Sequence, residues 1–194
     1  MSKIIAAFDF DCTLSDRDSL VPFLWNYFPR VEFFLKMIYC APYGFLYLIK
    51  MISNSELKRR VLGLFFAGME EEDLVNRARE YAEKDLSGLV REKALAKMKW
   101  HKDQDHECII VSASMELYLK PWGKNVGFDD VLGTKIDFSG VNPKMLKNCY
   151  GPEKVVRLKK KYGEDKDYIL YAYGDSVGDK ELLDYADHPH YQVF

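Results

Sequence analysis

The chain has 194 residues, of which 48% are hydrophobic and 30% are charged, and its 28 lysines and arginines nearly balance 30 aspartates and glutamates. This composition is typical of a globular protein and excludes a disordered, collagen-like or disulfide-scaffold chain. The formal net charge of −2 gives no electrostatic reason to expect nucleic acid as a partner. The length predicts one domain, or one domain that carries a smaller insertion.

The cysteines and the first residues bear on the compartment. The four cysteines are scattered and form neither a CxxC pair nor a metal-site spacing, so we expect reduced thiols. Residues 1–10 hold one lysine and a short apolar run, which is too short for a signal peptide. These features predict a cytoplasmic protein.

Short apolar runs of strand length alternate with helical patterns along the chain. The run KIIAAF, Lys3–Phe8, predicts a buried parallel strand that ends at acidic residues. From about 18 to 86 the periodicity is helical throughout. After it we predict helices at 89–100, 115–122, Pro152–Tyr162 and 180–185, strands at 107–111 and 168–173, and a small hairpin within 128–147. This alternation favours a parallel sheet with helices on both faces and a helical insertion after the first strand.

Segment 31–52 is unusually apolar for a helical insertion. Its longest uncharged run has 13 residues and is broken by Pro42 and Gly44, whereas a membrane-spanning helix needs about 20 apolar residues. We expect a buried helical hairpin. The alternative is a surface that contacts lipid or an apolar substrate.

Polar side chains follow each predicted strand at its carboxyl end, where open α/β sheets place their active sites. Clustered carboxylates repel one another, and Mg²⁺ relieves this repulsion while it takes oxygen ligands. A DxDxT pattern alone is weak, but a second acidic turn after a later strand strengthens it. The residues at the strand ends are Asp9, Asp11, Thr13, Ser112, Asp175 and Asp179.

Mg²⁺ sites built from carboxylates commonly bind the phosphate of a substrate as well. A phosphate among so many carboxylates needs a further cation near it. Lys154 lies in the predicted first turn of a helix, where an anion would bind, although such a lysine is usually solvated. Lys144 is the competing candidate, and we favour Lys154.

Four segments together resemble the motifs of the haloacid dehalogenase-like (HAD) phosphohydrolases. They are FDFDCTLSD, IIVSAS, YGPEKVVRLK and YGDSVGDKELL, and they occur in the family's order. The helical insertion directly after the first motif resembles the cap of the phosphoserine phosphatase-like subfamily IB. The resemblance implies a Rossmann-like three-layer parallel sheet core, residues 1–15 and 87–194, with an inserted all-helical cap, residues 16–86.

The resemblance also implies a covalent mechanism. Asp9 would attack phosphorus, and Asp11 would protonate the leaving alcohol and then activate water. Mg²⁺ would be held by the Asp9 carboxylate, the backbone carbonyl of Asp11 and Asp175, with Asp179 in the outer shell or bound to Lys154. The phosphoryl oxygens would be bound by Thr13, Ser112 and Lys154.

The substrate is less well indicated. Asp18 stands where the resemblance implies a substrate-binding glutamate, and Ser112-Ala113-Ser114 replaces the family's SGG turn. We predict a Mg²⁺-dependent phosphatase that acts on a small phosphorylated metabolite. One alternative is a peripheral membrane phosphatase acting on a phospholipid headgroup such as that of phosphatidylglycerophosphate, with a membrane surface as the less favoured partner. A second is a non-catalytic phosphate-binding protein.

Overall fold

The computed structural model describes residues 3–194, so Met1 and Ser2 of the predicted core segment lie outside the described residues. A five-stranded parallel sheet forms the centre of the molecule. Its strands are β1 (Lys3–Phe8), β2 (Glu107–Met115), β3 (Asp130–Thr134), β6 (Tyr168–Gly174) and β7 (His188–Tyr191), in the order β3-β2-β1-β6-β7. The short strands β4 (Ile136–Asp137) and β5 (Lys144–Met145) form a separate antiparallel pair.

The described residues also form eight α-helices. They are α1 (Leu20–Tyr27), α2 (Arg30–Leu48), α3 (Asn54–Phe66), α4 (Glu71–Lys84), α5 (Glu92–Lys102), α6 (Glu116–Val126), α7 (Pro152–Tyr162) and α8 (Lys180–Tyr185). The helices α1 to α4 lie between β1 and β2 in the sequence. This is the position at which the helical insertion was predicted.

The sheet has helices on both faces because successive side chains of a strand point to opposite sides. In β1, Ala6 and Phe8 pack into an apolar cluster that includes residues of α1 and α3 to α6. Ile5 and Ala7 pack into a second cluster with Leu158 of α7. The molecule therefore has three layers, and the central strand β1 is buried from Ile5 to Phe8.

Backbone hydrogen bonds join the two ends of the helical insertion. Ser15 and Val90 form an antiparallel bridge, and the Asp16 N–H donates to the Leu89 carbonyl at 2.8 Å. The chain therefore leaves and re-enters the sheet domain at adjacent points. We propose that the helices between these points are the cap, and the boundary at 86 stays a prediction.

Segment 31–52 differs from the predicted buried hairpin. One helix, α2, continues through Pro42 and buries only Phe33 and Cys40. Pro42 is exposed, so the carbonyl that it leaves without an intrahelical partner can be solvated. The hairpin prediction is wrong because the proline lies on the outer side of the helix. Among residues 3–194, no helix has both the length and the apolar character needed to cross a bilayer.

The sheet is also larger than the three predicted strands. β3 joins it beside β2, so only β4 and β5 form the hairpin expected within 128–147. β7 was not predicted, since its sequence HPHY has no apolar alternation and pairs with β6 alone. β2 runs past the predicted end at Ser112 to Met115, with a register shift after Val111.

Candidate active site

Three of the predicted carboxylates meet at the carboxyl edge of the sheet. Asp9 follows β1, and Asp175 and Asp179 follow the neighbouring strand β6. Each offers one carboxylate oxygen, and these oxygens lie within 4.8 Å of one another. Asp9 and Asp179 are buried, and Asp175 is partly buried. Close oxygen donors of this type fit a hard divalent cation.

Lys154 is the counter-charge inside this cluster. Its Nζ donates to Asp9 Oδ1 at 2.6 Å and to Asp179 Oδ1 at 2.5 Å. Helix α7 begins at Pro152, which places Lys154 in its first turn, and the side chain is 2% exposed. Lys144 lies exposed in β5. The structure thus brings the favoured lysine to the carboxylates.

Burial and the neighbouring charges together decide the direction of each pKa shift in the cluster. Burial raises the pKa of Asp9 to about 7, against the opposing effect of Lys154. Burial likewise raises the pKa of Asp175, and the charge of Asp179 adds to this effect. Burial acts against the charge of Lys154, but Asp9 and Asp179 hold its pKa above its ordinary value. One lysine among three carboxylates leaves a desolvated site that another cation would stabilise.

The second oxygen of Asp179 holds the loop after β6. Asp179 Oδ2 accepts hydrogen bonds from the N–H groups of Asp175 at 3.2 Å and Ser176 at 3.1 Å, and from the Ser176 hydroxyl at 2.9 Å. Gly174 allows this approach, since a Cβ there would lie 2.5 Å from the Asp179 Cβ. Both oxygens of Asp179 are therefore engaged by protein groups.

Asp11 has hydrogen-bond partners other than Lys154 and the three clustered carboxylates. Asp11 lies in the tight turn Phe10–Leu14, in which Cys12 has a left-handed backbone with φ 61°. The Asp11 carboxylate accepts from the Ser19 N–H at 2.9 Å and from the Ser114 hydroxyl. The Ser19 hydroxyl lies 3.1 Å from that of Ser114 and 3.0 Å from that of Tyr118. Asp11 thus ends a buried chain of hydroxyl groups.

The remaining predicted residues line the same site with different partners. The Thr13 hydroxyl donates to Asp175 Oδ1 at 3.2 Å. Ser112 is buried in β2, and its Oγ accepts from the Ser114 N–H at 3.2 Å. Asp18 caps the start of α1, since its Oδ1 accepts from the N–H groups of residues 20 and 21 at 2.9 and 3.0 Å.

A family model described as haloacid dehalogenase-like hydrolase matches residues 6–184. The chain belongs to this family. Among curated relatives, protein CicA of Caulobacter vibrioides (strain NA1000 / CB15N) is 32% identical to this HAD-like hydrolase over 197 residues, which cover 98% of the chain and 86% of CicA. The predicted family and the prediction of an enzyme are confirmed.

Solved structures show the same fold at lower identity. A protein of unknown function from Bordetella pertussis Tohama I superposes with a TM-score of 0.81 at 19% identity, over 97% of this chain and 89% of that one. A phosphoserine phosphohydrolase-like protein from Francisella tularensis subsp. tularensis SCHU S4 superposes with a TM-score of 0.67 at 18% identity, over 97% of this chain and 85% of that one. The predicted Rossmann-like core with a helical insertion is therefore confirmed for this HAD-like hydrolase.

A cavity of about 560 Å³ opens above the carboxylates of this HAD-like hydrolase. Its floor carries Asp9, Asp11 and Lys154. The walls that the helical insertion supplies are mostly apolar, with Leu20, Leu24, Phe33, Met37, Leu57 and Val61 among them. The site therefore combines a charged floor with a mostly apolar upper part.

Lys58 of α3 lies in the cavity wall and was missed in the sequence. Its Nζ donates to the Ala113 carbonyl at 2.8 Å, beside Ser112. Burial lowers the pKa of Lys58, and the charge of Asp11 opposes this effect. The helical spacing of the sequence could have identified Lys58, because residues 58, 62 and 65 lie on one helical face. Residues 62 and 65 of that face are buried. A lysine on a buried face needs an anionic partner.

Proposed function

We propose that this HAD-like hydrolase is a phosphatase that hydrolyses a phosphomonoester of a small metabolite through an aspartyl phosphate on Asp9, with Mg²⁺ as cofactor. The observation that carries the proposal is the Asp9 carboxylate, which lies on the cavity floor at 2.6 Å from the Lys154 ammonium. A carboxylate so placed can attack phosphorus while a buried cation offsets the charge that develops on the phosphoryl oxygens.

Two displacements at phosphorus complete the reaction. In the first, an Asp9 oxygen bonds to phosphorus, the bond from phosphorus to the alcohol oxygen breaks, and Asp11 gives its proton to the leaving alcohol. In the second, Asp11 takes a proton from water, whose oxygen bonds to phosphorus, and the bond to Asp9 breaks. Inorganic phosphate leaves, and both aspartates return to their starting states.

The surroundings of Asp11 suit a group that must exchange a proton. Burial raises the pKa of Asp11, and the charge of Asp18 adds to this effect, which favours the acid needed first. The Ser19 N–H and the Ser114 hydroxyl stabilise the carboxylate needed next. We infer that Asp11 serves as general acid and then as general base.

The donor set at the sheet edge fits Mg²⁺. Asp9 and Asp175 would hold the ion with the backbone carbonyl of Asp11, while Asp179 fixes Lys154 and the loop around residues 175–176. When bound, Mg²⁺ would neutralise charge between the nucleophile and the phosphate. Thr13, Ser112 and Lys154 would bind the phosphoryl oxygens, and Asp18 would face the rest of the substrate from the cavity wall.

The decisive experiment is hydrolysis of p-nitrophenyl phosphate with Mg²⁺. We expect Asp9→Asn to lose activity by at least about 10³-fold, because a neutral amide is a poor nucleophile. Asp16→Asn is the matched control, since Asp16 is exposed and its carboxylate pairs with the exposed Arg17. Full activity in Asp9→Asn would refute the covalent route. Full activity in EDTA would refute the requirement for a metal ion.

The metal also has a readout apart from turnover. A ligand that binds the folded state raises the unfolding temperature. We expect Mg²⁺ to raise it for the wild type and for Asp16→Asn but not for Asp175→Asn. An equal rise in all three proteins would remove Asp175 from the metal site.

A second candidate substrate class is favoured by the apolar cavity wall. A phosphomonoester that carries an apolar group, such as a phospholipid headgroup phosphate, would bury that group against Leu24, Phe33 and Val61. A panel with phosphoserine, glycerol phosphate and phosphatidylglycerophosphate separates the two classes. The cytoplasmic location and the lack of a nucleic-acid partner stay predictions.

A further inference from the structure

Helix α2 presents a long apolar stripe to solvent, which we call the α2 outer face. Val31, Ile38 and Leu48 are 72%, 69% and 76% exposed, values expected of charged rather than aliphatic side chains. The spacing follows the helical period, so the side chains line one side of about five turns, a length of about 27 Å. The α2 outer face consists of Val31, Phe34, Leu35, Ile38, Phe45, Leu48 and Ile49.

The segment that carries this face is basic within an acidic protein. Residues 20–60 contain six lysines and arginines and two glutamates, a net charge of +4. The whole chain has a formal net charge of −2, so the residues outside this segment together carry −6. Lys50 lies exposed just after α2, and the Arg59 and Arg60 side chains are 63% and 44% exposed while they share one carboxylate, Glu56. Positive charge therefore flanks the apolar stripe.

Aromatic side chains border the stripe and hold two of the arginines beside it. The Arg30 guanidinium lies 3.8 Å from the Trp25 ring centre, and that of Arg60 lies 4.4 Å from the Tyr43 ring centre. Aromatic residues and flanking cations with an apolar stripe between them characterise helices that lie in the plane of a lipid interface.

We propose that the α2 outer face docks on the surface of an anionic bilayer, with α2 parallel to the membrane plane. Charge distinguishes this occupant from a second copy of the chain. A two-fold dimer would set the same patch against itself, so the exposed Arg30, Lys50 and Arg60 of one copy would lie against those of the other. An anionic lipid surface instead attracts the basic flank while the stripe enters the boundary between headgroups and acyl chains.

Docking would also bring the cavity close to the lipid. The other side of α2 supplies Phe33, Met37 and Cys40 to the cavity wall. The membrane surface and the cavity are thus separated by one helix, about 10 Å across. This inference does not depend on the proposed phosphatase activity.

The test is sedimentation of the full chain with vesicles, without substrate or metal. We expect binding to vesicles of phosphatidylglycerol mixed with phosphatidylcholine and little binding to phosphatidylcholine alone. The double variant Ile38→Glu, Leu48→Glu should bind at least about tenfold more weakly, because it puts charge into the stripe. The control is Val141→Glu, Val156→Glu, which changes exposed valines away from α2 and should bind like the wild type. Ile38 and Leu48 do not line the cavity, so hydrolysis of p-nitrophenyl phosphate and the thermal melt should be unchanged.

Other outcomes would overturn the proposal. Wild-type protein that stays in the supernatant with both vesicle types would refute docking. Equal binding by the two double variants would remove α2 as the contact. A dimer in analytical ultracentrifugation that dissociates in the Ile38→Glu, Leu48→Glu variant would assign the face to a second copy of the chain. Binding unchanged between about 0.1 M and 1 M salt would refute the role of charge.

Discussion

Replacement of the buried lysine tests how the carboxylate cluster is stabilised. In Lys154→Met the side chain keeps its unbranched shape and most of its length but loses the charge that lies between Asp9 and Asp179. Two unit charges within 4.8 Å repel by at least about 3.5 kcal/mol at an effective dielectric constant of 20. Removal of one partner from a buried ion pair typically costs about 3–5 kcal/mol, so we expect a loss in this range in the free energy of unfolding.

The matched control lies on the same helix. Lys160 is exposed on α7, so Lys160→Met should change the free energy of unfolding by no more than about 0.5 kcal/mol. Urea denaturation of both variants in EDTA gives the two values without any contribution from metal binding. Equal urea midpoints for Lys154→Met and Lys160→Met would show that the cluster is stable without its lysine.

Three further predictions concern a buried histidine, a crowded glycine and the lysine in the cavity wall. Burial lowers the pKa of His101 from 6.5 to about 4. The unfolded chain therefore binds the proton more tightly than the folded chain does. The free energy of unfolding should fall as the pH drops from about 6.5 to about 4, by up to about 3 kcal/mol. The pH dependence should be smaller in His101→Gln, and identical urea midpoints against pH for the two proteins would contradict this. Gly174→Ala should destabilise the loop by about 1–3 kcal/mol through its clash with Asp179, whereas Gly88→Ala meets no atom within 4 Å and should melt like the wild type. Lys58→Met should raise KM by about tenfold or more with a smaller change in kcat, because Lys58 lines the cavity but does not touch Asp9. An unchanged KM for every active substrate would exclude Lys58 from substrate binding.

The main features of the site follow from local sequence patterns. The strand Lys3–Phe8 and its acidic end are visible because a buried strand and the turn after it are neighbours in the chain. Lys154 was favoured over Lys144 because a helix start is a local signal, and the structure places Lys154 between two of the carboxylates.

Contacts between distant segments were not visible in the same way. The contact of Asp11 with Ser114 joins residues 103 positions apart, and that of Lys58 with Ala113 joins residues 55 apart. Each depends on how the helical insertion packs against the end of β2. The helical period alone shows that Lys58 shares a face with buried residues, but it does not show which anion that face meets.

The sequence by itself determined the alternation of most strands and helices, the parallel sheet with helices on both faces and the residues at the strand ends, but not β7 or the single helix α2. These depend on periodicity and turn chemistry, which act over a few residues. Only the tertiary structure decided which carboxylates share a cluster, that Asp179 holds Lys154, and that α2 exposes its apolar side. A helix with apolar residues on both sides can bury either one, and the side that is buried depends on the elements that pack against it, which lie elsewhere in the chain.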